Sequence, residues 1–267
     1  MSVSERRAKF RELHAREQLF VMPNPWDVGS AKLLASAGFE ALATTSSGFA
    51  WSLGKGDQTV TRDELAAHVA AVSAATRLPL NVDSERCYPD DPGGITATVL
   101  MLAEAGAAGF SIEDYDPAAD RIDDVGLAAE RVAEAAEAAY GLADPMVLTG
   151  RAENHIRGVT DLDDTIARLV AYRDAGADCV YAPGLSTLEQ VHAVVDAVGV
   201  PVNVLALPSG PSVQELAEAG VRRVSTGGAL ARFSYGALLE AAHELLAEGT
   251  STYARRGPSG ADIERAF

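Results

Sequence analysis

The sequence predicts an α/β protein folded as one (β/α)8 barrel of the TIM type. Three observations lead there. Short apolar, β-branched runs alternate eight times with longer Ala-, Leu- and Glu-rich amphipathic stretches, the pattern of parallel strands joined by helical crossovers. Four of the helical stretches end on the same Ala-Gly step just before a strand, where glycine accepts the left-handed turn that caps a helix. The first strand runs into Pro23-Asn24-Pro25-Trp26, not into the Gly-rich phosphate turn that usually opens a doubly wound sheet. A length of 267 residues suits one barrel of ~250.

In chain order, LFVMP opens the series as a strand at 19–23, followed by a helix at 27–37 that closes on Ala37-Gly38-Phe39. ALATTSS at 41–47 is the second strand, with a helix at 61–76. LPLNVDSE at 78–85 is the third, and its helix at 93–106 ends on Ala105-Gly106-Ala107. GFSIED at 109–114 and a helix at 127–141 make the fourth unit. MVLTGRAE at 146–153 leads to a helix at 161–175 closed by Ala175-Gly176-Ala177. CVYAPG at 179–184 precedes a helix at 187–197. VPVNVLAL at 200–207 precedes one at 212–219, closed by Ala219-Gly220-Val221. RVSTGG at 223–228 is the eighth strand, and the eighth helix runs from about 230 to 247. No break in composition divides residues 1–249. The tail at 250–267 is polar with Gly and Pro, and reads as a mobile end or a segment packed on a neighbouring subunit.

Hydrophobic residues make up 48% of the chain, enough for a substantial core, while 22 basic and 38 acidic residues leave a net charge of −16. Such a surface repels phosphate backbones and anionic membranes, so no nucleic-acid or membrane partner is expected. A small anionic substrate is still allowed, because a metal and one arginine can reverse the sign locally. Cys87 and Cys179 lack metal-ligand spacing and suit a reduced cytosolic protein. The N-terminal segment is charged without the apolar core of a secretory signal, and no apolar run reaches the ~18 residues of a membrane span. A cytoplasmic location is expected.

In such a barrel the chemistry collects at the C-terminal strand ends. Asp83 and Glu85, two apart on a strand, are expected to face the same side. With Asp57 and Glu113 they would crowd four carboxylates together, which is costly unless protons or a cation compensate. Oxygen-only donors favour a hard cation, Mg2+ with Mn2+ as a substitute. Each acid alone reads equally well as a solvated or salt-bridged residue. Arg151 can clamp a substrate carboxylate from two sides, or pair with Glu153 or Glu113. Thr45, Ser46 and Ser47 offer hydroxyls and backbone N–H groups to a carboxylate or phosphoryl group. Asn203 and Tyr181 are candidates to face the substrate tail. The only lysines, Lys9, Lys32 and Lys55, lie off the predicted inner strands, which removes a Schiff-base aldolase. The five scattered histidines, of which only His155 follows a strand, do not suggest zinc.

Taken in order, Asn24-Pro25-Trp26-Asp27, the loop at Thr45-Ser46-Ser47, Leu53-Gly54 before Asp57, Val82-Asp83-Ser84-Glu85 with Tyr88, Ser111-Ile112-Glu113-Asp114, Arg151 and Gly227-Gly228 resemble the isocitrate lyase/phosphoenolpyruvate mutase superfamily. The likeness covers nearly the whole barrel. It implies Mg2+ with Asp83 as direct ligand, and with Asp57, Glu85 and Glu113 holding metal-bound waters. It also implies an α-keto acid chelating that metal, gripped by Arg151 and residues 45–47. A homo-oligomer is implied, dimer or tetramer, in which the C-terminal eighth helix is exchanged onto a neighbour. The departures bear on function. The lyase loop with its proton-donating cysteine is replaced by Tyr115-Asp116-Pro117-Ala118-Ala119-Asp120-Arg121-Ile122, and the mutase's Lys and Asn are missing there too. Glu85 replaces a commoner Asp, and Cys87 a Gly. The sequence therefore resembles the superfamily's oxaloacetate decarboxylases, which lack the lyase cysteine. The expected chemistry passes through a metal-stabilised enolate, with Arg151 catalytic and Tyr88, Tyr115 or water handling a proton. The alternatives are a carbon–carbon lyase for a larger substituted malate or citrate, phosphonate chemistry, and a non-catalytic keto-acid-binding protein.

Overall fold

Each of the eight expected strands forms, and each is shorter than its apolar run because the last residues leave the ladder to build the rim. The computed structural model describes residues 1–267. Helix α1 (Val3–Ala15) comes before β1 (Phe20–Met22), α2 (Val28–Ser36), β2 (Leu42–Ala43), α3 (Ser46–Ser52), α4 (Arg62–Ala75) and β3 (Leu80–Asp83). Next are α5 (Gly94–Glu104), β4 (Gly109–Glu113), a hairpin of β5 (Tyr115–Asp116) and β6 (Arg121–Ile122), α6 (Val125–Tyr140) and β7 (Val147–Arg151). The series continues with α7 (Leu162–Asp174), β8 (Cys179–Tyr181), α8 (Leu188–Val198), β9 (Val202–Leu205), α9 (Val213–Glu218), β10 (Arg223–Ser225) and α10 (Ala229–Ala247). A 3-10 turn at Thr252–Arg256 and α11 (Gly260–Ala266) end the chain.

The eight long-range strands pair in parallel in the order β1-β10-β9-β8-β7-β4-β3-β2. No ladder joins β1 to β2. The seam is closed instead by the Ala43 N–H, which donates to the Pro23 carbonyl at 3.1 Å, and by Asn24 Nδ2, which donates to the Thr44 carbonyl at 2.7 Å. Outward-facing strand residues such as Val82, Phe110, Leu148, Val180 and Val204 form one apolar core with Val69, Val99, Val132, Leu169 and Val194 of the helices. A smaller core fills the barrel's lower end, where Phe10 and Leu13 of α1 meet Phe20, Met22, Ala43 and Val147.

Helix α1 was not among the expected elements, because its many charges mask the two core residues. The charges have their own work. Arg6 Nη1 donates to the Ser73 carbonyl, and Arg7 donates to the Ala103 and Ala107 carbonyls, so both arginines cap helix ends on the barrel's underside. Three other segments differ from expectation. Residues 46–52, expected as the last two residues of the second strand and the loop after it, form α3, with Thr45 as N-cap accepting from the Gly48 N–H. Residues 115–122 form the β5–β6 hairpin. In the polar tail α11 folds back on α2, with Lys32 Nζ 5.6 Å from the centre of the Phe267 ring. Helix α10 lies apart from the core: only Ala231 is buried, while Phe233, Leu238, Leu239 and Leu246 are exposed. No helix is long and apolar enough to cross a membrane.

Candidate active site

Alternate strand residues point into a barrel, and in this one many of the inward positions are polar. They include Asn81 and Asp83 on β3, Ser111 on β4, Thr149 and Arg151 on β7, and Arg223 and Ser225 on β10. Barrel interiors are more often filled by branched apolar side chains. Small and polar residues leave room here, and a cavity of about 190 Å3 runs from the rim down to Arg223.

Arg151 organises the upper part. Its Nε donates to Glu153 Oε1 at 2.6 Å, and its Nη1 lies 3.2 Å from Asp83 Oδ1 and 3.3 Å from Glu113 Oε2. Burial works against the guanidinium's charge, but Glu153, Glu113 and Asp83 outweigh it and hold the group firmly protonated. Asp83 Oδ2 accepts from the Ser46 N–H at the start of α3, at 3.0 Å. Glu113 Oε1 accepts from Gln58 Nε2, also at 3.0 Å. Burial, then the neighbouring Glu153, pushes the Glu113 carboxyl well above the usual range. Glu85 is pushed up to about 8 by burial, with Asp83 and Asp57 adding to it. Asp57 is raised as well, by partial burial of its carboxyl and by Asp83.

Asp57, Asp83, Arg151, Thr45, Ser46, Ser47 and Asn203 line the cavity together with Tyr181. Glu85 and Glu113 lie behind its wall. The expectation that Glu85 shares a face with Asp83 fails for a local reason: the strand stops at Asp83, and Glu85, Cys87 and Tyr88 have φ of 50°, 58° and 47°. Three non-glycine residues in the left-handed region turn the chain sharply and end the alternation. Tyr88 is carried out of the cavity by the same turn, and its hydroxyl donates to the Val60 carbonyl at 3.1 Å. Burial, reinforced by Glu85, raises the Tyr88 phenol, so neither position nor acidity suits it to donate a proton in the cavity. Tyr115 is also diverted: its hydroxyl donates to Asp120, and Arg157 stacks 3.4 Å from the ring centre. Cys87 is fully buried, 3.0 Å from Ser84 Oγ, and burial pushes its thiol up to about 12. Asp114, at the same strand end as Glu113, belongs to the scaffold, accepting from the Glu153 N–H, Tyr172 and Arg168.

Arg151 does not present two free prongs. With Nε and Nη1 held by acids, Nη2 alone lacks a protein acceptor. Residue-level reasoning also passed over Asn81, Ser111, Arg223 and Ser225. Their signal was present as polar residues two apart within otherwise apolar strands.

No three Asp, Glu, His or Cys side chains close into a metal cage. The cavity offers Asp57 and Asp83, with Glu85 and Glu113 behind them. That donor set fits a hard cation such as Mg2+ or Mn2+, which takes one or two carboxylates and keeps several waters. Burial first, and neighbouring carboxylates second, raise the proton affinities of Asp57, Glu85 and Glu113, and a cation would offset both.

A family model described as phosphoenolpyruvate phosphomutase matches residues 10–246. An uncharacterised protein of Mycobacterium tuberculosis is 36% identical over 221 residues, covering 82% of this chain and 81% of its own. An oxaloacetate decarboxylase of Paraburkholderia xenovorans is 33% identical, over 76% of this chain and 69% of its own. A crystal structure from Burkholderia cenocepacia, provisionally named a lyase/mutase, superposes with a TM-score of 0.94 at 50% identity, over 98% of this chain and 96% of that one.

Proposed function

We propose that this chain, which belongs to the phosphoenolpyruvate mutase/isocitrate lyase superfamily, is a decarboxylase that acts on a small β-keto diacid, oxaloacetate, with the help of a divalent cation. The observation that carries this reading is the composition of the cavity wall. It places Asp57 and Asp83 beside Arg151 and includes no cysteine, histidine or lysine. A retro-aldol lyase needs a base for the substrate hydroxyl and an acid for the departing carbanion. Losing CO2 from a β-keto acid needs neither, only a sink for electrons.

In the reaction the bond between C3 and C4 of oxaloacetate breaks, and its electron pair moves into the C2 carbonyl to give the enolate of pyruvate. CO2 leaves, and a solvent proton then adds to C3. Asp83 and Asp57 would hold the cation, with Glu85 and Glu113 behind them, and when bound it would supply Lewis-acid pull on the substrate's carbonyl. Arg151 adds a fixed positive charge next to the developing oxyanion, through the Nη2 that no acid occupies. The hydroxyls of Thr45, Ser46 and Ser47, at the start of α3, can bind a substrate carboxylate, and Asn203 and Tyr181 line the same cavity.

The same reading makes the chain a homo-oligomer, dimer or tetramer, in which α10 packs on a neighbour and covers Phe233, Leu238, Leu239 and Leu246. Two free, buried thiols suit the reducing cytoplasm.

The test is pyruvate release from oxaloacetate with Mg2+, with EDTA as control and correction for catalysis by the free metal. EDTA-sensitive turnover that Asp83→Ala abolishes supports the reading. Turnover no faster than the free metal, with tight oxalate binding, overturns it in favour of a lyase for a larger substituted 2-hydroxy acid or a binding protein.

A further inference from the structure

Arg223 is a fully buried guanidinium, and it has no ion pair. It lies in the barrel interior at the bottom of the cavity, 1% exposed. Its Nε donates to Asn203 Oδ1 at 2.9 Å, its Nη2 to Thr149 Oγ1 at 3.0 Å, and its Nη1 lies 3.1 Å from His14 Nε2. All three partners are neutral. His14 stays so because burial, and then Arg223 itself, push its pKa down to about 3. These contacts use three of the five N–H donors a guanidinium carries and supply no negative charge. The acids above cannot supply it either, since they are gathered around Arg151. A buried charge left in this way is costly unless something compensates it.

A second, independent feature lies in the same space. Asn81 is 4% exposed and lines the cavity, yet its side chain makes no hydrogen bond in the protein. Oδ1 is sealed from solvent without a partner, which leaves Nδ2 to the cavity. Its Nδ2 has no acceptor in the protein either, so this wall of the cavity presents an unused donor as well as the unpaired cation; the orphaned Oδ1 is itself an acceptor and would not hold an anion.

We propose that the lower part of the cavity is a separate subsite for a small monoanion, a group the size of a carboxylate, held by Arg223 and Asn81 beneath the acid cluster. The subsite complements the upper site in sign. Acids collect a cation at the rim, and a cation on the floor collects an anion. Its occupant is either a carboxylate of the substrate or a free ion. The inference does not rest on the decarboxylase reading, and its test needs neither metal nor turnover.

The test is thermal unfolding of the metal-free full-length protein, in chloride-free buffer, titrated with sodium formate. Sodium gluconate, too large for the floor, holds the ionic strength constant. The melting temperature of the wild type rises with formate and saturates. Arg223→Met abolishes that rise, and Asn81→Leu moves the half-saturating concentration up by about tenfold, the loss of one hydrogen bond to a charged group. Should Arg223→Met not fold, Asn81→Leu decides alone, because its side chain has no protein hydrogen bond to lose. The absence of a saturable rise in the wild type overturns the proposal, as does an identical formate curve for Asn81→Leu. Repeating the titration with Mg2+ and saturating oxalate identifies the source. Loss of the formate effect assigns the subsite to the substrate's own carboxylate, and additive effects assign it to a free ion.

Discussion

Arg151 and Asp83 hold each other, with Nη1 of the arginine 3.2 Å from Oδ1 of the aspartate. The group placed to grip a substrate is thus bound to the group placed to bind a cation. A divalent ion drawn to Asp83 competes with the guanidinium for the same carboxylate, and loosening that pair returns an N–H to the cavity. Cation and substrate anion are therefore expected to bind cooperatively.

That coupling is tested with Asp83→Asn, which keeps the shape and removes the charge. The variant should lose both Mg2+ affinity and turnover by on the order of 100-fold, as ligand-shell changes commonly do. Oxalate affinity, measured by calorimetry, should stop responding to Mg2+. Wild-type oxalate binding that is equal with Mg2+ and with EDTA would remove the coupling.

Arg151 also neutralises a buried cluster. Glu153 is fully buried and the Glu113 side chain is 1% exposed, so removing their partner strands Glu113 and leaves Glu153 with Arg157 alone. Arg151→Met should cost about 3–5 kcal/mol in urea unfolding, the range for breaking a buried pair from one side. Adding Glu153→Gln should recover part of that loss. If the double variant is less stable than Arg151→Met, the charge argument fails.

The pH dependence follows from Glu85. Its pKa is pushed up to about 8 in the fold, chiefly by burial and then by Asp83 and Asp57, from an ordinary 4.5. A carboxyl with a raised folded pKa stabilises the fold when protonated. That contribution is complete below about 4.5 and is lost as pH rises towards 8. The metal-free protein should therefore lose melting temperature across that window, and Glu85→Gln should flatten the slope. Mg2+ should recover stability most at the alkaline end, where Glu85 is charged. A parallel pH profile for Glu85→Gln would refute the assignment.

Asn24 is the clasp of the barrel. Its Nδ2 donates to the Thr44 carbonyl, and its Oδ1 accepts from the Thr226 and Gly227 N–H groups, tying the exit of β1 to β2 and to the turn after β10. Asn24→Ala leaves those buried groups unpaired and should cost about 1–3 kcal/mol. Faster hydrogen exchange at Gly227 should accompany the loss. Unchanged exchange there would mean that the ladder between β1 and β10 holds this turn without Asn24.

Much of this molecule was legible without a structure, and the parts that were share a cause. Strands, crossover helices and Ala-Gly caps are written in local periodicity and in glycine's tolerance of positive φ, so eight βα units emerged in the right order. Asp57, Asp83, Ser46, Ser47 and Arg151 could be expected around one cavity because strand ends of such a barrel converge on one rim. Helix α1 was missed because its core contacts are only Phe10 and Leu13, set among charges that cap distant carbonyls.

Only the tertiary structure decided which side chains turn inward and what they meet. Three positive-φ residues after Asp83 took Glu85 and Tyr88 behind the cavity wall, a departure from alternation that spacing does not reveal. Arg151, Tyr181, Asn203 and Arg223 are partners along one register row across four neighbouring strands, although 72 positions of sequence separate the first from the last. Because strands tilt in a closed barrel, that row descends, so Arg151 ends β7 at the rim while Arg223 begins β10 on the floor. Periodicity is a property of neighbours in the chain and shows in the sequence. Charge pairing depends on distance across the barrel, and so does the isolation of Arg223 from every acid; closure and strand tilt set both.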